Sequence, residues 1–155
     1  MSFLKDNILA FYKKITVFVM ATLYIIIGAK HFTDPEFFIN ITPPFIQFKP
    51  EAVYFTGVLE ILGGALILFN KTRKQGGYIL IFLLIIVFPA NIYLCLSEIP
   101  RELIGITKAQ ALVRLPFQLP LIVIAYWHSQ HKLKKSLSLF AAISFIPTII
   151  YFASL

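Results

Sequence analysis

The sequence predicts an all-α membrane protein, a four-helix transmembrane bundle followed by a fifth C-terminal transmembrane helix. Apolar residues make up 59% of the chain, charged residues only 14%, and the mean hydropathy is +0.84. Soluble domains average about a quarter charged residues. The apolar residues gather into five runs, each near the ~20 residues that a helix needs to cross ~30 Å of hydrocarbon. We therefore expect a single transmembrane domain over residues 1–155.

The first three apolar runs predict helices at about residues 15–32, 52–70 and 76–96. A basic head precedes the first run, a pattern also typical of a cleavable signal peptide with a small-residue site at Gly28-Ala29. Four later runs need a first helix to pack on, which favours a transmembrane helix. Pro89 in the third run lacks an amide proton, so it should kink that helix and free a carbonyl.

The loop at residues 33–51 is predicted to lie in the membrane interface over the bundle. Asp34 and Pro35 have the chemistry of a helix start, an acidic cap followed by proline at the first position. A short helical turn through residues 35–40 is therefore expected. Four aromatic side chains make the loop amphipathic: Phe37, Phe38, Phe45 and Phe48.

The last two apolar runs predict helices at about residues 109–127 and 137–155, and residues 98–108 form a short polar connection before them. Tyr126, Trp127 and His128 end the fourth helix. Aromatic rings at such a position are typical of a belt at the membrane–water interface.

The basic residues predict an orientation. The head and two alternate links hold nine of them, and the other two loops hold four. This excess favours an N-terminus in the cytoplasm and a C-terminus outside, with a bacterial inner membrane as the expected location. The net charge of +7 therefore reflects topology, and no nucleic-acid partner is expected.

Five polar residues are predicted to meet in the outer half of the membrane. Glu60 lies near the middle of the second run, where a carboxylate is costly and needs a partner. At 1.5 Å per residue, Glu60 lies ~12 Å, Arg114 ~8 Å and Asn91 ~9 Å from the outer surface. Gln118 shares the face of Arg114, and His31 closes the first helix at the same rim. These five side chains are the candidate ligand-binding residues.

The simplest interpretation is a buried Glu60–Arg114 ion pair whose remaining hydrogen-bonding groups are satisfied by the other three residues. A purely structural alternative stays open, because such a pair can fix helix register without adding net stability. Asn91 can equally cap the helix broken by proline, and His31 can hydrogen-bond a loop carbonyl.

Gly57 and Gly64 lie on the same helical face as Glu60. Two glycines beside one acid leave room for a close helix neighbour, a bound water or a ligand.

The sequence assigns no catalytic residue and no covalent cofactor. A single cysteine, Cys95, excludes an intramolecular disulfide or CxxC pair. No histidine pair at i, i+4 indicates haem, and no Cys/His cluster indicates a metal site. Any cofactor would bind non-covalently or belong to a partner.

Several short motifs form a recognisable set over about residues 15–127: Gly28-x-x-His31-Phe32-x-x-Pro35-x-x-Phe38, Pro43-Pro44, Gly57-x-x-Glu60-Ile61-x-Gly63, Phe88-Pro89-Ala90-Asn91-Ile92-Tyr93 and Arg114-Leu115-Pro116-x-Gln118. As a set they resemble the DoxX-like family of small membrane proteins. The resemblance implies a four-helix membrane bundle and an association with redox chemistry, since relatives are similar to quinone-reducing subunits of oxidoreductase complexes. Distant animal relatives are similar to receptor-assembly chaperones. The fifth apolar run departs from the four-helix plan.

Two hypotheses of function follow. In the first, the protein is a redox-associated subunit whose outer-half pocket holds a quinone or another amphipathic small molecule, next to an oxidoreductase partner subunit. In the second, it is a membrane assembly or interaction protein, and the Glu60–Arg114 pair is structural. A small transporter is less favoured, because no inverted repeat is visible. Either hypothesis is compatible with a homo-oligomer.

Overall fold

The computed structural model describes residues 2–153, and the side chains of residues 7–152. This part of the chain is all helical, with seven helices and no strand: α1 Ser2–Thr33, α2 Pro35–Ile41, α3 Lys49–Leu68, α4 Arg73–Leu96, α5 Glu98–Ile104, α6 Lys108–Ser129 and α7 Lys135–Ala153. Helices α1, α3, α4, α6 and α7 are long and apolar enough to cross a membrane. The predicted all-α class with five long apolar helices is thereby confirmed.

Two stretches expected to be non-helical are helical. The basic head is continuous with α1, since neither proline nor glycine occurs before Gly28 to interrupt it. The polar connection contains α5, which ends at Gly105 with φ of 71°. Glycine adopts this left-handed conformation without steric cost, which makes it a common end for a helix. Residues 154 and 155 of the predicted fifth helix lie outside the described residues.

Helix α2 begins where the sequence places a helix start, but not by the expected capping bond. Asp34 holds the capping position and Pro35 the first turn, yet the Asp34 side chain makes no capping hydrogen bond. The backbone amide of Asp34 instead donates to the carbonyl of Lys30 at 2.8 Å, continuing the end of α1. The fixed φ of proline therefore accounts for the start of α2.

The long helices surround one interior. Helices α1, α3, α4 and α6 pack in that order, each against the next, and α7 packs on α6 and also touches α1. All five contribute to the main apolar core, whose members are Val17, Met20, Ala21, Ile67, Leu80, Leu83, Leu84, Leu121, Ile124, Ala125, Trp127, Ala141 and Phe145. A smaller cluster of Leu94, Cys95 and Ala111 lies between α4 and α6. The core therefore spans the predicted four-helix bundle and the additional α7.

The predicted interface belt at the end of α6 is wrong for two of its three residues. Trp127 is 2% exposed and His128 is fully buried. His128 Nε2 lies 2.9 Å from the Thr16 hydroxyl of α1, and its ring lies 6.0 Å from that of Phe145 in α7. Because α1 and α7 pack on this end of α6 from both sides, its rings face the core.

Arginine side chains satisfy backbone carbonyls at two helix ends. Arg101 donates to the carbonyls of Leu94 and Cys95 at 3.0 Å each, at the end of α4. Arg73 Nε donates to the carbonyl of Ile67 at 3.0 Å, at the end of α3. The last carbonyls of a helix lack intrahelical donors, so these contacts fix the turns that follow.

Glycine allows α1 and α3 to approach closely. A Cβ atom on Gly57 would lie 2.6 Å from the Cβ of His31, and one on Gly28 would lie 2.8 Å from the Gly57 carbonyl oxygen. One turn away from Glu60, a Cβ on Gly64 would lie 2.9 Å from the carbonyl oxygen of Ala21. Of the three occupants left open for the space beside Gly57 and Gly64, the structure shows a close helix neighbour.

We expect Gly57→Ala to destabilise the fold, because the added methyl group meets the rigid base of His31 and backbone atoms of α1. Overpacking of this kind costs ~1–3 kcal/mol, more than the ~1 kcal/mol that alanine gains in helix propensity. The measurement is the thermal unfolding temperature in detergent. Val58→Leu, on the exposed face of the same helix, is the control. Equal unfolding temperatures for both variants would contradict the tight contact.

Candidate functional site

A cavity of about 420 Å³ lies between the long helices, at the end of the bundle where α1 and α4 finish and α3 and α6 begin. Phe38 and Ile41 of α2 and Thr42, Pro43 and Ile46 of the following segment cover that end of the cavity. Small-molecule sites typically measure ~300–1,000 Å³. The volume is therefore sufficient for a small organic ligand.

All five sequence-predicted site residues line this one cavity: His31, Glu60, Asn91, Arg114 and Gln118. They come from α1, α3, α4 and α6. The remaining wall is largely aliphatic and aromatic, and includes Leu23, Val87 and Phe152. The structure thus brings the five together, and their role in ligand binding stays a prediction.

The predicted Glu60–Arg114 ion pair is wrong. Among the described side chains, the ionisable partner at ion-pair distance from Glu60 is His31, whose Nδ1 lies 3.3 Å from Glu60 Oε2. Helix α4 packs between α3 and α6, so Glu60 and Arg114 line different parts of the wall. Glu60 instead points to the adjacent α1, which the Gly57 contact draws close.

His31 is held in one orientation by two neighbours. Its Nδ1 lies 3.0 Å from the carbonyl oxygen of Ile27, one turn earlier in α1. Because a carbonyl can only accept, Nδ1 carries the proton in this contact. The imidazole also stacks on Phe38 of α2, with ring centroids 3.6 Å apart. His31 therefore donates to a carbonyl of its own helix, whereas the alternative predicted from the sequence was a hydrogen bond to a loop carbonyl.

Among the described residues, two buried polar atoms at the cavity have no hydrogen-bond partner, Glu60 Oε2 and Arg114 Nε. The Nδ1–H of His31 is directed to Ile27, so its approach to Glu60 is an electrostatic contact without a hydrogen bond. The guanidinium carbon of Arg114 lies 5.5 Å from the ring centroid of Phe152 in α7, a cation–π arrangement. The Arg114 guanidinium thus contacts an aromatic ring of α7.

The amides of Asn91 and Gln118 form a complete bridge between α4 and α6. Asn91 Nδ2 donates to Gln118 Oε1 at 3.0 Å, and Gln118 Nε2 donates to the carbonyl of Leu84 at 2.6 Å. The missing amide proton of Pro89 leaves the carbonyl of Ile85, not that of Leu84, without its intrahelical donor. Helix α4 continues through Pro89, so the carbonyl predicted to be freed is not the one that Gln118 contacts. Asn91 bonds Gln118 and does not cap a helix end.

Sequence reasoning missed the contribution of α7. Ile149 and Phe152 line the cavity, and Tyr151 stacks on Phe117 of α6 with centroids 4.7 Å apart. In the structure one face of α7 points inward: Ala141, Phe145 and Thr148 are buried and Phe152 lines the cavity, at spacings of four, three and four residues. This spacing marks one helical face, although a uniformly apolar run conceals it.

Metal coordination has no support in the part of the chain that the structure describes. No group of three or more His, Cys, Asp or Glu side chains is placed to hold an ion there. Cys95 is buried and unpaired.

Fold and site together define a class, an all-helical protein with five candidate membrane-spanning helices around an apolar cavity that carries convergent polar groups. More particularly, the chain belongs to the family described as Domain of unknown function (DUF8561), whose model matches residues 20–129. That segment contains all five polar cavity residues and ends before α7. Comparison with curated proteins and with solved structures gave no significant match.

We expect Gln118→Leu to cost ~1–3 kcal/mol, because it leaves the buried Asn91 Nδ2 without its acceptor and removes the bond to the Leu84 carbonyl. Asn91→Leu should cost less, since Gln118 keeps its bond to Leu84. In a double-mutant cycle the two changes should be non-additive by roughly 0.5–1.7 kcal/mol, the range seen for hydrogen bonds between membrane helices. The measurement is unfolding in mixed detergent.

Gln75→Leu, an exposed glutamine of α4, is the control and should stay within about 0.5 kcal/mol of the wild type. Strictly additive effects of Asn91→Leu and Gln118→Leu would contradict the bridge.

Proposed function

We propose that this protein is an integral membrane protein of the DoxX-like type whose cavity binds a quinone-like or other amphipathic small molecule. It would act as a redox-associated subunit in a bacterial inner membrane. The residues assign no electron carrier of their own, so electrons would come from an oxidoreductase partner subunit. His31, Glu60, Asn91, Arg114 and Gln118 would surround the polar head of the ligand, and none is assigned a catalytic step.

One observation carries this proposal: the cavity of about 420 Å³ combines largely apolar walls with two buried polar atoms that lack partners, Glu60 Oε2 and Arg114 Nε. An unsatisfied buried polar group costs ~1–3 kcal/mol. A ligand whose polar head bonds either atom recovers that energy, while its ring and tail lie against the apolar wall. A small amphipathic molecule has this combination of groups.

The proposed orientation is supported by the separation of charges between the two ends of the bundle. At the end opposite the cavity the described basic side chains are Lys13, Lys14, Lys71, Arg73, Lys74, Lys132, Lys134 and Lys135. The described carboxylates lie at the cavity end or line the cavity: Asp34, Glu36, Glu51, Glu60, Glu98 and Glu102. Under the positive-inside rule, the cavity end faces away from the cytoplasm.

The second candidate function is a membrane assembly or interaction protein. The Asn91–Gln118–Leu84 bridge favours it, because those amides are satisfied within the protein and join α4 to α6. The sequence-based version of this hypothesis, in which a Glu60–Arg114 pair holds the helices together, is excluded because that pair does not form. A purely structural role predicts a solid bundle around Glu60 and Arg114, whereas a cavity lies beside them. The cavity therefore favours the binding function.

The binding proposal is tested by native mass spectrometry of the protein purified in mild detergent. We expect wild type to retain a bound amphiphile, with quinone among the extracted molecules. Ala90→Phe places a ring in the cavity, which Ala90 lines, and should remove the bound species without unfolding the protein. Ile85→Phe on the exposed face of α4 should retain it.

Wild-type protein that carries no amphiphile and binds no added decyl-benzoquinone would count against the proposed function. Equal retention by Ala90→Phe and wild type would place the bound molecule elsewhere.

The orientation is tested with reporter fusions. A reporter inserted in the link at residues 130–134, between α6 and α7, should report the cytoplasm, because this link lies among the basic residues. A reporter at residues 105–107, between α5 and α6, should report the opposite side. The reverse pattern would contradict the proposed topology.

A further inference from the structure

We infer that a basic pocket at the end of the bundle opposite the central cavity binds the phosphate headgroup of an anionic membrane lipid. This pocket has a volume of about 480 Å³ and lies between α1, the end of α6, the link at residues 130–134 and the start of α7. The inference rests on the proposed insertion in a membrane and is independent of what the central cavity binds.

The polar side chains of the basic pocket suit a phosphate group. Lys13 of α1 and Lys132 of the link line it, together with His131 and Ser138. Ammonium and hydroxyl groups donate hydrogen bonds to phosphate oxygens, and a charged donor makes the stronger bond. Among the described residues, no carboxylate lines the pocket. The pocket therefore favours an anion.

Lys13 is held at the pocket wall by contacts with the end of α6. Its ammonium group donates to the backbone carbonyl of Gln130, and Nζ lies 5.5 Å from the ring centroid of Trp127. An ammonium group has three N–H donors, and the carbonyl uses one of them. Because the side chain is already ordered, binding an anion there costs less conformational entropy than binding to a freely rotating lysine.

The positive charge of this region is not balanced by the described acidic side chains. The described carboxylates lie at the cavity end of the bundle or line the central cavity. Asp6 of α1 lies outside the described side chains. An anion from outside the chain would supply the missing negative charge at this end.

The start of α7 carries a charge that is unfavourable for a helix N-terminus. Its first turn contains no acidic residue, and Lys134 and Lys135 stand at its beginning. The unpaired amides of a first turn carry partial positive charge, so nearby cations are unfavourable and an anion is stabilising. A phosphate group beside Ser138 would offset both the lysines and the helix dipole.

Apolar side chains around the pocket favour a lipid over a soluble phosphate. Leu9 and Leu133 form part of its wall. Ile8 and Phe11, in the same stretch of α1, are each 66% exposed, as suits a surface that contacts acyl chains. Basic pockets between membrane helices on the cytoplasmic side are typical sites for anionic headgroups, and the proposed orientation places this end there.

The test uses the fluorescence of Trp127, the single tryptophan of the chain, which lines the pocket. The full chain in dodecyl maltoside is titrated with dioctanoyl phosphatidylglycerol, dioctanoyl phosphatidylcholine and glycerol 3-phosphate. The two lipids share their acyl chains and differ in net charge, whereas glycerol 3-phosphate has no acyl chain. Wild type should bind phosphatidylglycerol at least about tenfold more tightly than the other two, because two lysines attract its headgroup.

Three variants locate the binding site. Lys132→Gln, an exposed change, should lower the affinity for phosphatidylglycerol at least about threefold and leave that for phosphatidylcholine unchanged. Lys13→Gln should lower it further, because that ammonium group is already positioned. Lys74→Gln removes an exposed lysine of α4 at the same end but outside the pocket. It is the matched control and should bind as wild type does, and thermal unfolding checks that each variant is folded.

Four results would overturn the inference. Wild type could show no preference for phosphatidylglycerol over phosphatidylcholine, or bind glycerol 3-phosphate as tightly, which would assign the pocket to a soluble phosphate. Equal losses in Lys74→Gln and Lys132→Gln would indicate attraction to the whole basic surface. Binding that appears only in Asp6→Asn would show that the protein's own carboxylate occupies the pocket.

These outcomes leave the proposed ligand of the central cavity untouched, because the two sites lie at opposite ends of the bundle. Protein that stays soluble without detergent would instead count against the proposed membrane insertion.

Discussion

The close contact between α1 and α3 determines where the buried carboxylate of this protein lies. Gly57 has no side chain where the Cβ of His31 packs, and Gly28 leaves space against the backbone of α3. A bulkier residue at either position would separate the helices and move His31 away from Glu60. An isolated carboxylate in an apolar interior is very costly. Among the described side chains, the imidazole of His31, 3.3 Å away, is the ionisable group within ion-pair distance of Glu60. It supplies no hydrogen bond to Oε2, which leaves that atom available.

On the side of the cavity formed by α4 and α6, the polar side chains bond to one another. Pro89 removes one hydrogen-bond donor from α4. One turn before it, the amide of Gln118 reaches across from α6 to the Leu84 carbonyl while accepting from Asn91. These groups satisfy one another, so they hold two helices together and have less to offer a ligand. Four of the five polar residues therefore divide into a satisfied amide bridge, Asn91 and Gln118, and two ionisable groups with bonding capacity left, Glu60 and Arg114. The fifth, His31, bonds the Ile27 carbonyl. A list of intramembrane polar residues does not reveal this division, which requires the hydrogen-bond partners.

The sequence predicted the depth of each polar residue along the bundle, but it did not predict which helices are neighbours. A rise of 1.5 Å per residue placed Glu60, Asn91 and Arg114 at similar depths, and all three line one cavity. Depth does not specify which helices are neighbours, so the choice of Arg114 as partner of Glu60 was wrong once α4 lay between them. Burial of Trp127 was equally unpredictable, because an aromatic ring at a helix end suits an interface and a core alike. The missing capping bond of Asp34 depends on a side-chain rotamer that spacing cannot specify.

Helix α7 gives the cavity a wall that the four-helix plan lacks. Its Phe152 positions the Arg114 guanidinium, and Ile149 and Phe152 both face the interior. The family-matched segment ends at residue 129, so every polar group of the cavity lies within it and this wall lies after it. Hydrogen-bond type is thus set by the matched segment, whereas the shape of the cavity beside Arg114 is set in part by α7. A change confined to α7 would therefore alter the apolar surface beside Arg114 and the ring that its guanidinium contacts, while Asn91 and Gln118 keep the bonds they make within the matched segment.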